Sequence, residues 1–323
     1  MKAVVAQDLS GPSGLAYTDV EDIADVVDDH VVIDVRAAGM CFPDLLMTRG
    51  EYQVRFPTPF IPGFETAGFV RSAPAGSGFA PGDRVSSFRL FLGGWAERIA
   101  VPPATVMHSP ESLDDAEAVS LQVNYHTMYF AFVNRAALQP GETVLVLGSS
   151  GGVGSAAVQV ARTLGARVIA VVRRAGADEF VASLGADLVL PLTDGWAKVV
   201  REHTGGRGVD VIVDPVGDPI FDDAVRTLAP HGRLLVIGFA GGAVPSVKVN
   251  RLLLRNAGVL GVGWGEYFSN NPDAQAAVGA GVAKLVAAGL KPPAPLRYPL
   301  SEGRAAAELL ATGGVMGKVV LEP

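Results

Sequence analysis

The most specific chemistry in the chain lies in Thr143-Val144-Leu145-Val146-Leu147-Gly148-Ser149-Ser150-Gly151-Gly152-Val153-Gly154. An apolar run that fits a buried strand enters a glycine-rich turn, and Val153–Leu164 then reads as a helix stopped at Gly165. Glycine lets a backbone turn tightly and approach a pyrophosphate. The first N–H groups of the following helix are unpaired, sit at the positive end of its dipole and face the anion. Ser149 stands where the first glycine of a G-x-G-x-x-G pattern usually falls. The candidate binding residues are therefore Ser150, Gly151, Gly152, Val153 and Gly154; the other reading is a tight turn with no ligand.

A dinucleotide site for a free ribose 2′-hydroxyl carries Asp or Glu about 20 residues further on. Here Val171-Val172 runs into Arg173-Arg174, with Arg173 lying 173 − 151 = 22 positions after Gly151. Two guanidinium groups at a strand end suit a 2′-phosphate, which points to NADPH; a solvated arginine pair is the alternative.

These residues need a frame. After Leu147, apolar runs alternate with helical stretches. Strands are expected at Arg167–Val172, Asp187–Leu190, Val209–Asp214, Arg233–Gly238 and Gly258–Val262, with helices at Asp178–Leu184, Trp196–Glu202 and Phe221–Leu228. Continuous apolar strands alternating with helices give an α/β domain with a doubly wound parallel Rossmann sheet. Ligands meet such sheets at the carboxyl ends of the strands. Val216, in Asp214-Pro215-Val216-Gly217, and Gly238 and Phe239 are therefore expected to line the cofactor cleft. Residues 1–118 read as mostly β, with short runs at Ala3–Ala6, His30–Ala37, Thr66–Ser72, Arg84–Phe88 and Ala96–Val101, separated by Pro57, Pro59, Pro62 and Pro81. A short helix is expected from Pro43. The tail, residues 263–323, shows two helices (Ala274–Ala288 and Ser301–Ala311), a Pro-rich loop (Lys291–Pro299) and a last strand, Lys318–Leu321. It is too short for a core of its own and is expected to return to the first region. The expected domains are 1–118, 119–262 and 263–323.

Composition narrows the function classes. Lys plus Arg is 26 and Asp plus Glu is 33, a formal charge of −7, which argues against a nucleic-acid partner. Hydrophobic residues make up 49%, enough for a large core. Cys41 is the one cysteine, so neither an intrachain disulfide nor a Cys-rich zinc lobe can form. No run reaches the ~18 apolar residues of a membrane span, and the amino terminus turns polar too early for a signal peptide. A cytoplasmic protein is the expectation.

The chain resembles the zinc-free, zeta-crystallin-like quinone oxidoreductases of the medium-chain dehydrogenase/reductase superfamily. The resemblance rests on Ala37-Ala38-Gly39-Met40-Cys41-Phe42-Pro43-Asp44, Arg49-Gly50-Glu51-Tyr52, Pro62-Gly63-Phe64-Glu65, Pro81-Gly82-Asp83-Arg84-Val85, Tyr125-His126-Thr127, the glycine turn, Gly232–Phe239 and Asn250-Arg251-Leu252-Leu253-Leu254. It implies a GroES-like, mostly β catalytic domain into which the Rossmann domain is inserted. It implies hydride transfer from NADPH to a small-molecule electron acceptor, a quinone or activated enone. Zinc enzymes of the superfamily use a cysteine, the His of a Gly-His-Glu motif and a third residue. Those positions hold Cys41, Phe64 and Val123, so no metal is expected and Cys41 is left as a buried neutral thiol lining the substrate cleft. The resemblance also implies a catalytic Tyr52 that can contact substrate, Thr127 at the nicotinamide end, Trp264 beside the cofactor and Asn250 beside the substrate. A Lys and a Tyr that clasp the 2′-phosphate in some relatives fall at Ala177 and Leu192, which leaves that task to Arg173 and Arg174. An unpaired edge at Gly258–Val262, together with the resemblance, implies a homodimer. Glu65 reads as structural. An enoyl-thioester reductase and a non-catalytic, crystallin-like NADPH-binding protein are the competing readings.

Overall fold

A computed structural model of the chain describes residues 1–88, 92–271 and 273–323. These fall into two compact units, one made of Met1–Val123, Phe268–Val286 and Lys291–Pro323, the other of Asn124–Tyr267 and Ala287–Leu290.

The first unit opens with β1 (Lys2–Ala6), β2 (Leu15–Asp19), β3 (Val31–Met40), α1 (Phe42–Thr48), β4 (Glu65–Ser72), β5 (Arg84–Phe88), β6 (Arg98–Val101), β7 (Val106–His108) and α2 (Asp115–Ser120). β3 is rich in β-branched residues, which suit a pleated, packed surface, and Val31, Val32 and Ile33 have no solvent exposure. It pairs antiparallel with β4 (Ile33↔Val70) and with β6 (Ile33↔Ile99).

The second unit holds α3 (His126–Tyr129), β8 (Thr143–Val146), α4 (Gly152–Thr163), β9 (Arg167–Val172), α5 (Asp178–Ser183), β10 (Leu188–Pro191), α6 (Trp196–His203), β11 (Val209–Asp214), α7 (Phe221–Arg226), β12 (Leu228–Val236), α8 (Val249–Arg255) and β13 (Gly258–Gly261). Its parallel strands run β10-β9-β8-β11-β12-β13, so the order reverses between β8 and β11. That reversal opens the crevice in which doubly wound sheets bind ligands. Leu145, Ile169, Ile212 and Leu234 form the middle of the core, with Trp196 of α6 and Phe221 and Val225 of α7 packed against them. Arg233 of β12 forks onto Glu142, which precedes β8, with N···O distances of 2.7 and 2.8 Å, and pins the entry side of the sheet.

The remaining elements are α9 (Trp264–Asn270), α10 (Asp273–Ala287), β14 (Leu296–Pro299), α11 (Gly303–Ala311) and β15 (Val319–Glu322). β15 pairs antiparallel with β3 (Val320↔Gly39), which gives the first unit a sheet in the order β14-β15-β3-β4-β5-β7 with β6 also on β3. The expected architecture, a parallel Rossmann sheet together with a mostly β unit, is the one observed.

Several local expectations need correction. Leu296–Pro299 is a strand, where the prolines suggested loop; it lies at the sheet edge, where Pro299 as last residue costs no central ladder bond. β12 ends at Val236, so Gly238 and Phe239 lie in the loop beyond it. The helix expected from Ser301 begins at Gly303, after a tight turn over Leu300–Glu302. β2 and β7 were not expected: β2 is half solvated and β7 has three residues, so neither shows a clear apolar run. Among the described residues no helix is long and apolar enough to cross a membrane.

Candidate functional site

In the second unit the glycine turn forms at the carboxyl end of β8. Gly148 has φ of +58°. An ideal Cβ on Gly154 would lie 2.2 Å from the Gly148 carbonyl oxygen, so two backbone segments touch where no side chain fits. Ser149, in the usual glycine position, is fully buried and donates its hydroxyl to Val171 O at 2.9 Å. The hydroxyl therefore ties the turn to β9, which a glycine could not do.

α4 then starts at Gly151, an extended N-cap with no side-chain hydrogen bond to the helix. Ser155 N donates to Gly151 O at 2.8 Å, which leaves the N–H groups of Gly152, Val153 and Gly154 without partners inside the helix. A Cβ on Gly151 would meet only Gly148 O, at 3.6 Å, and is otherwise in open space. Uncapped N–H groups beside open space are the cradle a pyrophosphate requires, so the residues present fit a dinucleotide. At the end of the neighbouring β9, Arg173 is exposed and Arg174 half-buried.

The loop after β11 packs onto this turn. Val216 Cγ2 lies 3.1 Å from the ideal Cβ position of Gly148. Asp214 Oδ1 holds the loop by accepting from Val216 N at 2.8 Å and Gly217 N at 2.9 Å. Pro215 O and Val216 O in turn accept from Ala240 N at 3.0 Å and Gly241 N at 2.8 Å. Gly148, Val216, Gly238 and Phe239 are thus drawn to one end of the sheet. Phe239 is 41% exposed. Thr127 is buried on α3. Trp264 is in the core of this unit, its ring 5.3 Å from Phe130 and 6.4 Å edge-on from His126, whose pKa burial lowers to about 4. Asn250 is exposed on α8.

The first unit holds a different constellation. Glu65 and Lys318 form an ion pair with side chains 0% and 5% exposed. Glu65 Oε1 also accepts from the Cys41 thiol at 3.1 Å, and Cys41 Sγ accepts from Lys318 Nζ at 2.9 Å. Glu65 Oε2 accepts from Val123 N at 2.8 Å. Gly39 makes the room, since a Cβ there would lie 2.2 Å from Glu65 Oε1. Asp44 accepts from Cys41 N at 2.7 Å and Gly63 N at 3.1 Å; burial raises its pKa to about 7 against these two donors. Burial, then Glu65, push the Cys41 thiol up, so the sulfur stays protonated at neutral pH. Burial opposes the Lys318 charge, but Cys41 and Glu65 outweigh it and hold the ammonium above its usual range. Because the thiol is protonated, Glu65 supplies the charge in that balance.

Phe64 is buried and its ring lies 6.0 Å from that of Tyr52. Tyr52 is half-buried, and burial, with Asp44 and Cys41 nearby, raises its phenol pKa. The first unit therefore brings Cys41, Tyr52 and Phe64 together around Asp44. Lys318 and Asp44 were not singled out from the sequence. The available signal was a lysine opening the otherwise apolar strand Val319-Val320-Leu321, where a buried ammonium must find a carboxylate. Among the described residues no group of three or more His, Cys, Asp or Glu side chains is placed to hold a metal.

Comparison with known proteins places these features in context. Residues 27–111 match the family model "Alcohol dehydrogenase GroES-like domain", and residues 152–280 match "Zinc-binding dehydrogenase". Quinone oxidoreductase-like protein 2 of Bos taurus is 40% identical over 248 residues, 75% of this chain and 70% of the relative. A probable oxidoreductase from Mycobacterium abscessus superposes with a TM-score of 0.93 at 59% identity, covering 100% of this chain and 99% of that one. The quinone oxidoreductase from Thermus thermophilus, solved alone and in complex with NADPH, superposes with a TM-score of 0.84 at 32% identity over 100% of both chains.

The buried pair yields a stability prediction. Lys318→Met strands Glu65 away from water and should cost roughly 3–5 kcal/mol. Lys318→Met with Glu65→Leu removes both charges and should recover most of that loss. Urea unfolding of the three proteins checks this; a double variant as unstable as the single one would show that packing, not the stranded charge, sets the cost.

Proposed function

This chain belongs to the quinone oxidoreductase family of the medium-chain dehydrogenase/reductase superfamily, and on that premise we propose that it is an NADPH-dependent reductase of quinones or activated enones that works without zinc. The observation that carries this reading is the open, uncapped start of α4 followed by two arginines, not a carboxylate, at the end of β9. The N–H groups of Gly152, Val153 and Gly154, with Ser150 and Gly151, hold the pyrophosphate. Arg173 and Arg174 pair with the 2′-phosphate. Val216, Gly238 and Phe239 border the nicotinamide end, with Thr127 and Trp264 assigned to the same end by resemblance. When bound, NADPH supplies a hydride from C4 of its nicotinamide.

Quinones and activated C=C bonds are electron-poor enough to take hydride directly when held about 3–3.5 Å away, so no Lewis acid is required. The residues support this. Phe64 fills the position of the superfamily's zinc-ligating His, and the Lys318 ammonium already neutralises Glu65 beside a protonated Cys41. A zinc site needs about three protein ligands, and this unit spends its buried carboxylates on other partners. Tyr52, its pKa raised, stays a hydroxyl donor at neutral pH and is assigned to the acceptor oxygen. Cys41 and Asn250 are assigned to the substrate side. We also assign a homodimer. β13 ends its sheet, and α8, just before it in sequence, exposes Val249, Leu253 and Leu254 at 71%, 75% and 81%. An exposed apolar helix face and a strand that ends its sheet suit a second copy.

Cofactor titration and an NADPH-oxidation screen over quinones, enones and acyl-CoA esters test the reading. NADPH should bind more tightly than NADH by roughly 1.5–3 kcal/mol, the worth of a charge-assisted phosphate contact. Equal affinities, or NADPH binding with no acceptor reduced, would reject it.

Tyr52→Phe should slow quinone reduction at most about tenfold, because reduced quinone oxygens take protons from water. Enone or thioester reduction should fall about 100-fold or more, because an enolate must be stabilised. Loss of quinone reduction with NADPH binding intact would make Tyr52 an obligatory acid.

Light scattering should give about twice the chain mass of 33.4 kDa, falling towards that mass for Leu253→Glu with Leu254→Glu. A wild-type mass near 33.4 kDa at micromolar concentration would rule out the dimer.

A further inference from the structure

The start of α4 has a neighbour that the cofactor reading leaves unused. Asn124 lies in the widened, π-type helical stretch Leu121–Tyr125, just ahead of α3. Its residue is only 6% exposed, yet its side-chain amide makes no hydrogen bond among the described residues. The amide is not one of the fully buried, unpartnered polar groups, so a residue that is otherwise enclosed keeps its polar end accessible and available to a ligand. π-type widenings of helices also occur often at functional sites, because they re-aim a side chain.

The amide sits against Gly152, the first residue of α4. An ideal Cβ on Gly152 would lie 2.5 Å from Asn124 Nδ2, 3.3 Å from Cγ and 3.4 Å from Oδ1. The helix itself does not require glycine there: Gly152 is not among the positive-φ glycines, and any residue could open a helix at that point. Glycine at 152 leaves room for the amide. The same residue supplies the first of the three uncapped N–H groups, so Asn124 Nδ2 lies beside the anion cradle and is unspent on any protein acceptor among the described residues.

We propose that Asn124 is a binding residue whose side-chain amide donates a fourth hydrogen bond to the diphosphate held at the start of α4, with Gly152 present to let it approach. This rests on the reading of the second unit as an NADPH site. The amide adds a donor at the positive end of the helix dipole, where negative charge is favoured, and brings no counter-charge. It acts on affinity and on the placing of the diphosphate, not on the chemistry of hydride transfer.

NADPH titration of the full-length chain, followed by cofactor fluorescence, tests this with four single variants and one double variant. Asn124→Leu keeps the volume and removes the donors, and should weaken NADPH binding about tenfold. Asn124→Asp is nearly isosteric but sets a carboxylate against the diphosphate, and should weaken binding about 100-fold or more. Gly152→Ala pushes the amide aside and should also cost about tenfold. In Asn124→Ala the space is vacated, so adding Gly152→Ala should cost nothing further. Circular dichroism confirms that each variant is folded, and Asn124→Asp carries the test if Asn124→Leu is not. Wild-type binding by Asn124→Leu or Asn124→Asp overturns the inference alone, as does an undiminished Gly152→Ala loss in the Asn124→Ala background. A wild-type protein that does not bind NADPH overturns the cofactor reading and this inference together.

Discussion

One backbone contact governs the second unit: Gly154 lies against the Gly148 carbonyl so closely that no side chain fits between them. That contact allows α4 to start at once from the carboxyl end of β8, at the point where the strand order reverses. Three consequences follow. The helix N-terminus faces the crevice, the loop after β11 can rest on the turn, and the end of β9 with its two arginines comes alongside. The arrangement has a cost in stability. That cost is small: Ser, Thr, Asp or Asn as N-cap would contribute only about a few tenths of a kcal/mol over the glycine at 151. The uncapped end is what an anion can use.

The first unit uses glycine in a parallel way. Gly39 vacates the space that Glu65 occupies, and Glu65 then gathers Lys318 ahead of β15, Cys41 ahead of α1 and the Val123 amide. A buried ion pair is weak evidence of net stability, but each partner makes the other indispensable. Lys318 also sets the local charge. It sets a fixed positive charge beside the one cysteine, in a chain whose zinc-ligating His position holds a phenyl ring. On the zinc-free reading proposed above, the match to a zinc-binding dehydrogenase family model reflects a shared scaffold, and the proposed reaction is of the kind that needs no Lewis acid.

Much of the second unit was legible in the sequence because its signals are local. β9 and β11 are observed at the expected residues, since uninterrupted apolar runs bounded by turn residues leave little choice. The glycine turn was legible because its residue types are dictated by backbone sterics. What was not legible depends on contacts distant in the chain. Lys318 and Glu65 are separated by 253 positions (318 − 65), and nothing near either names the other. β14 was hidden by its prolines, and it forms because β15 offers it an edge. Asn124 gave no signal, because its meaning appears only when Gly152 is seen beneath it.

The central claim is direct hydride transfer from NADPH to an electron-poor acceptor. Single-turnover oxidation of NADPH by a 1,4-quinone, with deuterium on either face of the nicotinamide C4, tests it most directly. Deuterium on one face should slow the reaction and deuterium on the other should leave it unchanged, because one hydrogen leaves C4 in the step that is timed. Quinone reduction proceeding at the same rate with either labelled cofactor, or no NADPH oxidation with any quinone or enone while the cofactor binds, would contradict it.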